Sequence, residues 1–236
     1  MRLDLLEHDP LDYANTNVDL WAQKRGHTVV RTYVCKGEAL PRAENVEWLM
    51  VMGGSPHADD EASNAWLPGE KAFVHDVLES GTPILGICFG AQVLAGILGG
   101  DLFRAEHKEI GWHEVLLTDE GKESFLFEGV PEAFETFHWH VDHFSLPPGC
   151  VRLATSEATA NQAFVCPKRP VVGLQFHPEL TLDLVDYFAR EHSEEWVPST
   201  YVLGKDAVRA RIRAMEDTYW LMERILDNTA GWFRMA

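Results

Sequence analysis

Positive charge is what this chain most lacks. Its 236 residues carry 20 Lys and Arg against 37 Asp and Glu, a formal charge of −17. A phosphate backbone or an anionic membrane surface selects for basic patches, so neither nucleic acid nor membrane is expected as a partner. No apolar run approaches the roughly 18 residues of a membrane span. The N-terminus has no basic stretch leading into an apolar one, as a secretion signal would. Cysteine is scarce too: Cys35, Cys88, Cys150 and Cys166 include no C-x-x-C pair and no dense framework, so a reducing, cytoplasmic setting fits. Internal repeats and low-complexity linkers are absent.

What is present is enough apolar sequence, 46% of the chain, for one sizeable α/β core. We expect one domain over 1–236, with a helical tail from about 193 onward. Arg2 to Glu7 reads as a strand, and Asn15 to Arg25 as a helix offering Val18, Leu20 and Trp21 to the core and closed by Gly26. His27 to Val34 is a second strand. Trp48 to Met52 is a continuous apolar run of the kind buried on both faces of a sheet, and it ends at Gly53-Gly54-Ser55-Pro56. Those two glycines either make a turn or present bare N–H groups to a ligand. Asp59-Asp60-Glu61 reads as solvated surface, and Trp66 to Ser80 as a helix with Phe73, Val74, Val77 and Leu78 inward. Alternation of strand and helix points to a parallel sheet covered on both sides, with ligands at the carboxyl ends of its strands. After Asp101 the pattern changes to short strands, some antiparallel: Gly111 to Thr118, Glu135 to His140, Val151 to Ser156, Gln162 to Cys166 and Val171 to Phe176. A helix over Leu182 to Glu191 follows. A longer helix over Lys205 to Asn228 offers Val208, Ile212, Met215, Trp220, Leu221 and Ile225 for packing.

The chain is organised around Pro83 to Gln92, where an apolar strand runs into Cys88 and leaves through a small-residue helix ending at Gly99-Gly100. Gly86 and Gly90 flank the cysteine in a G-x-C-x-G spacing, which allows a strained turn to expose the thiol while backbone packs closely around it. The helix aims its positive end at the sulfur, favouring a thiolate and later an oxyanion. An isolated cysteine in a Gly-rich strand end would more often be structural. The balance shifts because His177-Pro178-Glu179 follows another apolar strand. A residue before proline is extended, and extended residues two apart face the same side, so Glu179 can orient His177 from behind.

A competing constellation is His138-Trp139-His140-Val141-Asp142-His143, which spells the H-x-H-x-D-H string of metallo-β-lactamase-like zinc hydrolases. Phe144-Ser145-Leu146-Pro147-Pro148 then replaces the small-residue turn usual there, and the preceding half lacks the expected strand order. The segment is better read as an extended loop near a pocket, with no metal.

Gly53-Gly54, GICFGAQ at 86–92, HWHVDHFSLPPG at 138–149, NQAF at 161–164 and LQFHPEL at 174–180 together resemble class I glutamine amidotransferase domains. The similarity spans most of residues 1 to 190 and is nearest to stand-alone members like the glutaminase part of GMP synthetase, a group that includes γ-glutamyl peptidases. The resemblance implies a flavodoxin-like three-layer sandwich with a mixed, mostly parallel sheet. By position it makes Cys88 the nucleophile, His177 the general base and acid, and Glu179 its orienting carboxylate. It also implies an oxyanion hole at the N–H groups of Gly54 and Phe89, and substrate contacts around Gln92 and the Val141-Asp142 backbone. Val141 stands where relatives often carry glycine, and Ser55 where many carry proline.

The expected function is attack on the γ-carbonyl of glutamine or a γ-glutamyl compound through a Cys thioester, releasing ammonia or an amine. No cofactor is expected. The alternatives are a γ-glutamyl peptidase without ammonia delivery, a zinc hydrolase using 138–143, and a catalytically silent binding subunit. No P-loop or ATP-pyrophosphatase string occurs, so any synthetase would be a separate subunit.

Overall fold

The computed structural model describes residues 1–9, 15–191, 195–213, 215 and 218–233. Short apolar runs become strands because only a sheet interior buries a segment on both faces while satisfying its backbone. The first such strands are β1 (Arg2–Glu7), β2 (Thr28–Tyr33), β3 (Leu49–Val51) and β4 (Ile84–Ile87). Between them lie α1 (Asn17–Arg25) and α2 (Leu67–Glu79). Thr16 caps α1 in a reciprocal box with Asp19, and Gly26 closes it in the left-handed conformation, φ 69°. Beyond β4 come α3 (Phe89–Ile97), β5 (Leu102–Leu117), a single turn α4 (Asp119–Lys122), β6 (Ala133–Phe144), β7 (Val151–Thr155), β8 (Ala163–Cys166) and β9 (Val171–Leu174). The chain continues through α5 (Leu182–Glu191), α6 (Lys205–Ile212) and α7 (Tyr219–Phe233).

Among the described residues the strands form one mixed sheet of nine, ordered β2-β1-β3-β4-β9-β8-β7-β5-β6. The five from β2 to β9 run parallel, and β8, β7, β5 and β6 extend the sheet through antiparallel pairings. Period-two alternation sorts the parallel strands into two cores. On one face Leu3, Leu5, Met50, Leu85, Ile87, Val172 and Leu174 meet Trp21 of α1 and Leu221, Ile225 and Leu226 of α7. On the other, Leu6, Leu49, Val51, Ile84 and Val171 meet Phe73, Val74, Val77 and Leu78 of α2 and Ala91 and Leu94 of α3. This is the expected three-layer arrangement. A third cluster seats α5 and α6 over the outer strands through Ile110, Trp112, Phe137, Val185, Phe188 and Val208.

Several local expectations change. The 138–143 segment is strand, not loop, because β5 is long enough to pair with it on both sides of a bulge opposite Val141. The single helix expected from Lys205 to Asn228 is two, interrupted at Arg213, Met215 and Thr218; residues 214, 216 and 217 lie outside the described residues, as do 193, 194 and 234–236 of the expected tail. The break has a packing reason. Val208, Ile212 and Met215 serve the outer-strand cluster, whereas Leu221 and Ile225 serve the α1 face, and one straight helix does not reach both. Leu20 and Trp220 are exposed rather than buried. Cys150 and Cys166 form a disulfide, while Cys35 and Cys88 are free. The Val151–Val165 pairing of β7 and β8 sets the two cysteines opposite one another, a proximity their 16-residue separation does not reveal. No helix among the described residues is long and apolar enough to cross a membrane.

A very tight approach occurs at the elbow. A Cβ on Gly90 would lie 1.9 Å from the Val51 carbonyl oxygen, and one on Gly86 2.6 Å from the Gly90 backbone. Both obstacles are main chain and cannot swing away. Gly90→Ala is therefore expected to lose about 1–3 kcal/mol or more, read as a lower midpoint in thermal or urea unfolding. Gly69→Ala, in helix α2 where a Cβ meets nothing within 4 Å, is the control and should leave the midpoint unchanged or slightly raised.

Candidate active site

The carboxyl ends of β3, β4 and β9 converge on a cavity of about 570 Å³, within the range of small-molecule pockets. Cys88 sits at its base, between the last residue of β4 and the first of α3. Its backbone is at φ 49°, ψ −105°, a region that a non-glycine residue occupies only under strain, of order 1–3 kcal/mol. The flanking glycines are thus there for close approach, while the cysteine itself takes the strained conformation. Its N–H donates to the Leu174 carbonyl at 2.7 Å, which ties the elbow to β9. The side chain is 5% exposed and lines the cavity.

His177 and Glu179 follow β9 and are brought to the same place. His177 Nδ1 lies 2.7 Å from Glu179 Oε1, with both side chains buried. That bond leaves Nε2 with no hydrogen-bond partner, facing a site where Gly53 lacks the Cβ that would stand 3.0 Å from the imidazole and 3.7 Å from the Cys88 Cβ. Burial alone would lower the His177 pKa; the Glu179 carboxylate and the Cys88 sulfur outweigh it and raise the pKa well above 6.5. The segment is held rigidly. The His177 N–H donates to the Phe137 carbonyl at 2.8 Å, and the Asn17 N–H donates to the Glu179 carbonyl at 2.7 Å. Asn17 Nδ2 also donates to the Pro178 and Leu180 carbonyls.

Gly54 follows β3, packed so that a Cβ would fall 2.5 Å from the His8 Cβ. Phe89 opens α3, and its N–H belongs to the first turn, where helix amides have no intrahelical acceptor. Gln92 and Asp142 meet directly, since Gln92 Nε2 donates to the Asp142 carbonyl at 3.0 Å. Gln92, Val141 and Asp142 all line the cavity. The Asp142 carboxylate points away from His138 and His140 and pairs with His57 and Arg104 at the mouth. The H-x-H-x-D-H string is therefore split, without the convergence that the dinuclear zinc arrangement needs.

Sequence reasoning missed three participants. Gln175 Nε2 donates to Cys88 Sγ at 3.5 Å, and Gln175 Oε1 accepts from Gln92 Nε2 at 3.4 Å, so an amide relay runs from the thiol to the Asp142 backbone. Its only signal was its place at the end of the β9 run. His8, the residue after β1, contacts the Gly53 carbonyl through Nδ1 at 3.2 Å and Glu70 through Nε2 at 2.8 Å, entirely buried against Phe89. Burial opposes its protonation, yet the Glu70 carboxylate raises its pKa. The strand-end position of His8 was a signal. Nothing in the sequence connects Asn17 with residue 178.

The sequence matches the family description "Glutamine amidotransferase class-I" over residues 15–188. Among curated proteins it is 29% identical to the glutamine amidotransferase-like protein YfeJ of Salmonella typhimurium, over 97% of each chain. It is 32% identical to a glutamine-hydrolyzing GMP synthase of Wolinella succinogenes, over 78% of this chain and 33% of that one, so it spans about a third of that relative. Among solved structures, a glutamine amidotransferase from Thermotoga maritima superposes with a TM-score of 0.82 at 25% identity, covering 97% of both chains. With a strained cysteine elbow, a His-Pro-Glu turn beside it and this similarity over most of its length, the chain belongs to the class I glutamine amidotransferase family.

Proposed function

We propose that the chain is a γ-glutamyl hydrolase or transferase working through a Cys88 thioester. The observation that carries this reading is Cys88, forced to a positive φ at the N-terminus of α3, with the His177–Glu179 pair buried beside it in the same cavity. The Cys88 sulfur attacks the γ-carbonyl of glutamine or a γ-glutamyl compound, and the carbonyl electron pair moves onto oxygen. The Gly54 and Phe89 N–H groups stabilise that oxyanion, Phe89 with the positive end of α3 behind it. Collapse breaks the C–N bond; His177 gives its Nε2 proton to the departing ammonia or amine, leaving a γ-glutamyl thioester. Water, deprotonated by His177, then hydrolyses the thioester to glutamate and restores the thiol. Glu179 holds the imidazole orientation and stabilises its charged form, and the relay from Gln92 positions the Val141-Asp142 backbone for the substrate's α-substituents.

The cavity reaches beyond the thiol to Tyr187, Phe188 and Glu195, which leaves room for a leaving group larger than ammonia. That space favours γ-glutamyl peptides as a second substrate class beside glutamine. A separate synthetase subunit that would receive ammonia is suggested by the relatives named GMP synthase. The contacts of α6 and α7 with the sheet support reading residues 1–236 as one domain. Cysteine usage departs from the all-thiol state expected of a reducing cytoplasm: Cys35 and Cys88 are free, but Cys150 and Cys166 are joined.

Cys88→Ala should remain folded by circular dichroism and lose turnover of glutamine and γ-glutamyl peptides, with no thioester trapped on rapid acid quench. Turnover by the folded variant would exclude the thiol mechanism.

The raised His177 pKa sets the sign of the pH response. The imidazolium that donates to the leaving group persists above 6.5 and disappears as pH rises through the folded pKa, so kcat/KM should fall on the alkaline side. Glu179→Gln removes the carboxylate that raises this pKa and should move the alkaline limb to lower pH while slowing acylation. His177→Ala should nearly abolish acylation at every pH. Stopped-flow measurement of acylation across pH checks both, and an unmoved limb in Glu179→Gln would refute the assigned role.

A further inference from the structure

Beside the Cys88 cavity lies a second constellation that the thioester chemistry does not use. Glu109 of β5 stands directly opposite His140 of β6, and His138 is opposite Gly111, so pairing places Glu109, His138 and His140 on one face. All three are buried, His138 fully and Glu109 to 1% exposure. One ligand atom from each lies within 4.8 Å of the others. His140 Nε2 is 3.2 Å and His138 Nδ1 3.6 Å from Glu109 Oε2. Yet no ring nitrogen of either histidine makes a hydrogen bond. His140 Nε2 and His138 Nδ1 thus face one buried carboxylate oxygen without hydrogen-bonding to it, an arrangement that is expensive unless something else engages them.

The two nitrogen–oxygen separations are close to the edges of a tetrahedron with metal–ligand arms of about 2.0–2.2 Å, whose corners lie roughly 3.3–3.6 Å apart. Two imidazoles and a carboxylate are also a donor set that zinc accepts. Glu109 is held by outer partners, as ligating carboxylates are. Gln162 Nε2 donates to its Oε2 at 2.8 Å and Thr159 Oγ1 at 3.1 Å. His140 also lines the cavity, so the cluster borders it.

We propose that Glu109, His138 and His140 form a binding site for one divalent transition-metal ion of the zinc type, separate from Cys88. The ion would staple β5 to β6 and fix the strand that carries Val141 and Asp142, so its role is to position the substrate wall and not to perform the chemistry.

The test uses tag-free full-length protein, stripped with chelator and reloaded with Zn²⁺ or Co²⁺. After desalting, elemental analysis should find one zinc per chain, and thermal unfolding should move to higher temperature with zinc. X-ray absorption of the zinc-loaded wild type should show nitrogen and oxygen neighbours at about 2.0–2.2 Å and no sulfur, and Co²⁺ should give a tetrahedral visible spectrum. Cys88→Ala should bind equally well, whereas Glu109→Gln, His138→Gln and His140→Gln should each weaken binding by about tenfold or more. The wild-type spectra stand even if one of these variants does not fold. Failure to retain zinc overturns the proposal. So does sulfur in the coordination shell, loss of binding in Cys88→Ala, or unchanged binding in the three ligand variants.

Discussion

Everything at the site depends on how closely the start of α3 lies against β3 and β4. With no side chain at Gly86 or Gly90, the Gly90 backbone comes into contact with the Val51 carbonyl, and the chain reverses between strand and helix within one residue. Cys88 is that residue. Its left-handed backbone is unfavourable for an L-amino acid, so the surrounding core must hold it there. Leu85, Ile87, Val172 and Leu174 on one face and Val51, Ala91 and Leu94 on the other supply that rigidity. The thiol is thereby fixed relative to the His177 segment, since the Cys88 N–H is bonded to Leu174 of the strand that leads into it.

A parallel sheet provides the second half of the arrangement. Since β4 and β9 are paired in register, Ile84 with Val171 through Ile87 with Leu174, the residues leaving their carboxyl ends emerge side by side. Cys88 leaves β4 and Gln175, Phe176 and His177 leave β9, so 89 positions of separation in sequence become direct neighbours. Asn17 then clamps the turn from the far side through three carbonyls. Buried charge completes the site: burial alone would lower the His177 pKa, and the Glu179 carboxylate and the Cys88 sulfur outweigh it and raise it.

The antiparallel half of the sheet contributes a wall. Between Arg104 and Glu109 the β5–β6 register shifts, with four β5 residues facing one on β6, and Val141 lies opposite that bulge. The bulge separates His138 and His140, which turn toward Glu109, from Asp142, which turns toward Arg104 and His57 at the mouth. One strand thereby serves two distinct environments. Gln92 fixes their boundary by donating to the Asp142 carbonyl.

By itself the sequence determined the alternating strands and helices, the elbow at Cys88 and the orientation of Glu179 behind His177. These follow from local rules: apolar runs bury as strands, Gly-x-Cys-x-Gly permits a tight reversal, and residues flanking proline stay extended. Tertiary structure alone decided what depends on segments distant in the chain. The division of the C-terminal helix came from two cores that one straight helix cannot serve. The contacts of Asn17 with Pro178, of Gln175 with the thiol, and of His8 with Gly53 and Glu70 required the sheet order to be known. The H-x-H-x-D-H spacing was legible, but its environment was not. Glu109 lies 29 residues before His138 and reaches it only through the β5–β6 register, and Asp142 leaves that group because the bulge intervenes. Spacing records which donors a strand offers to one face. Pairing with a neighbouring strand decides what those donors meet.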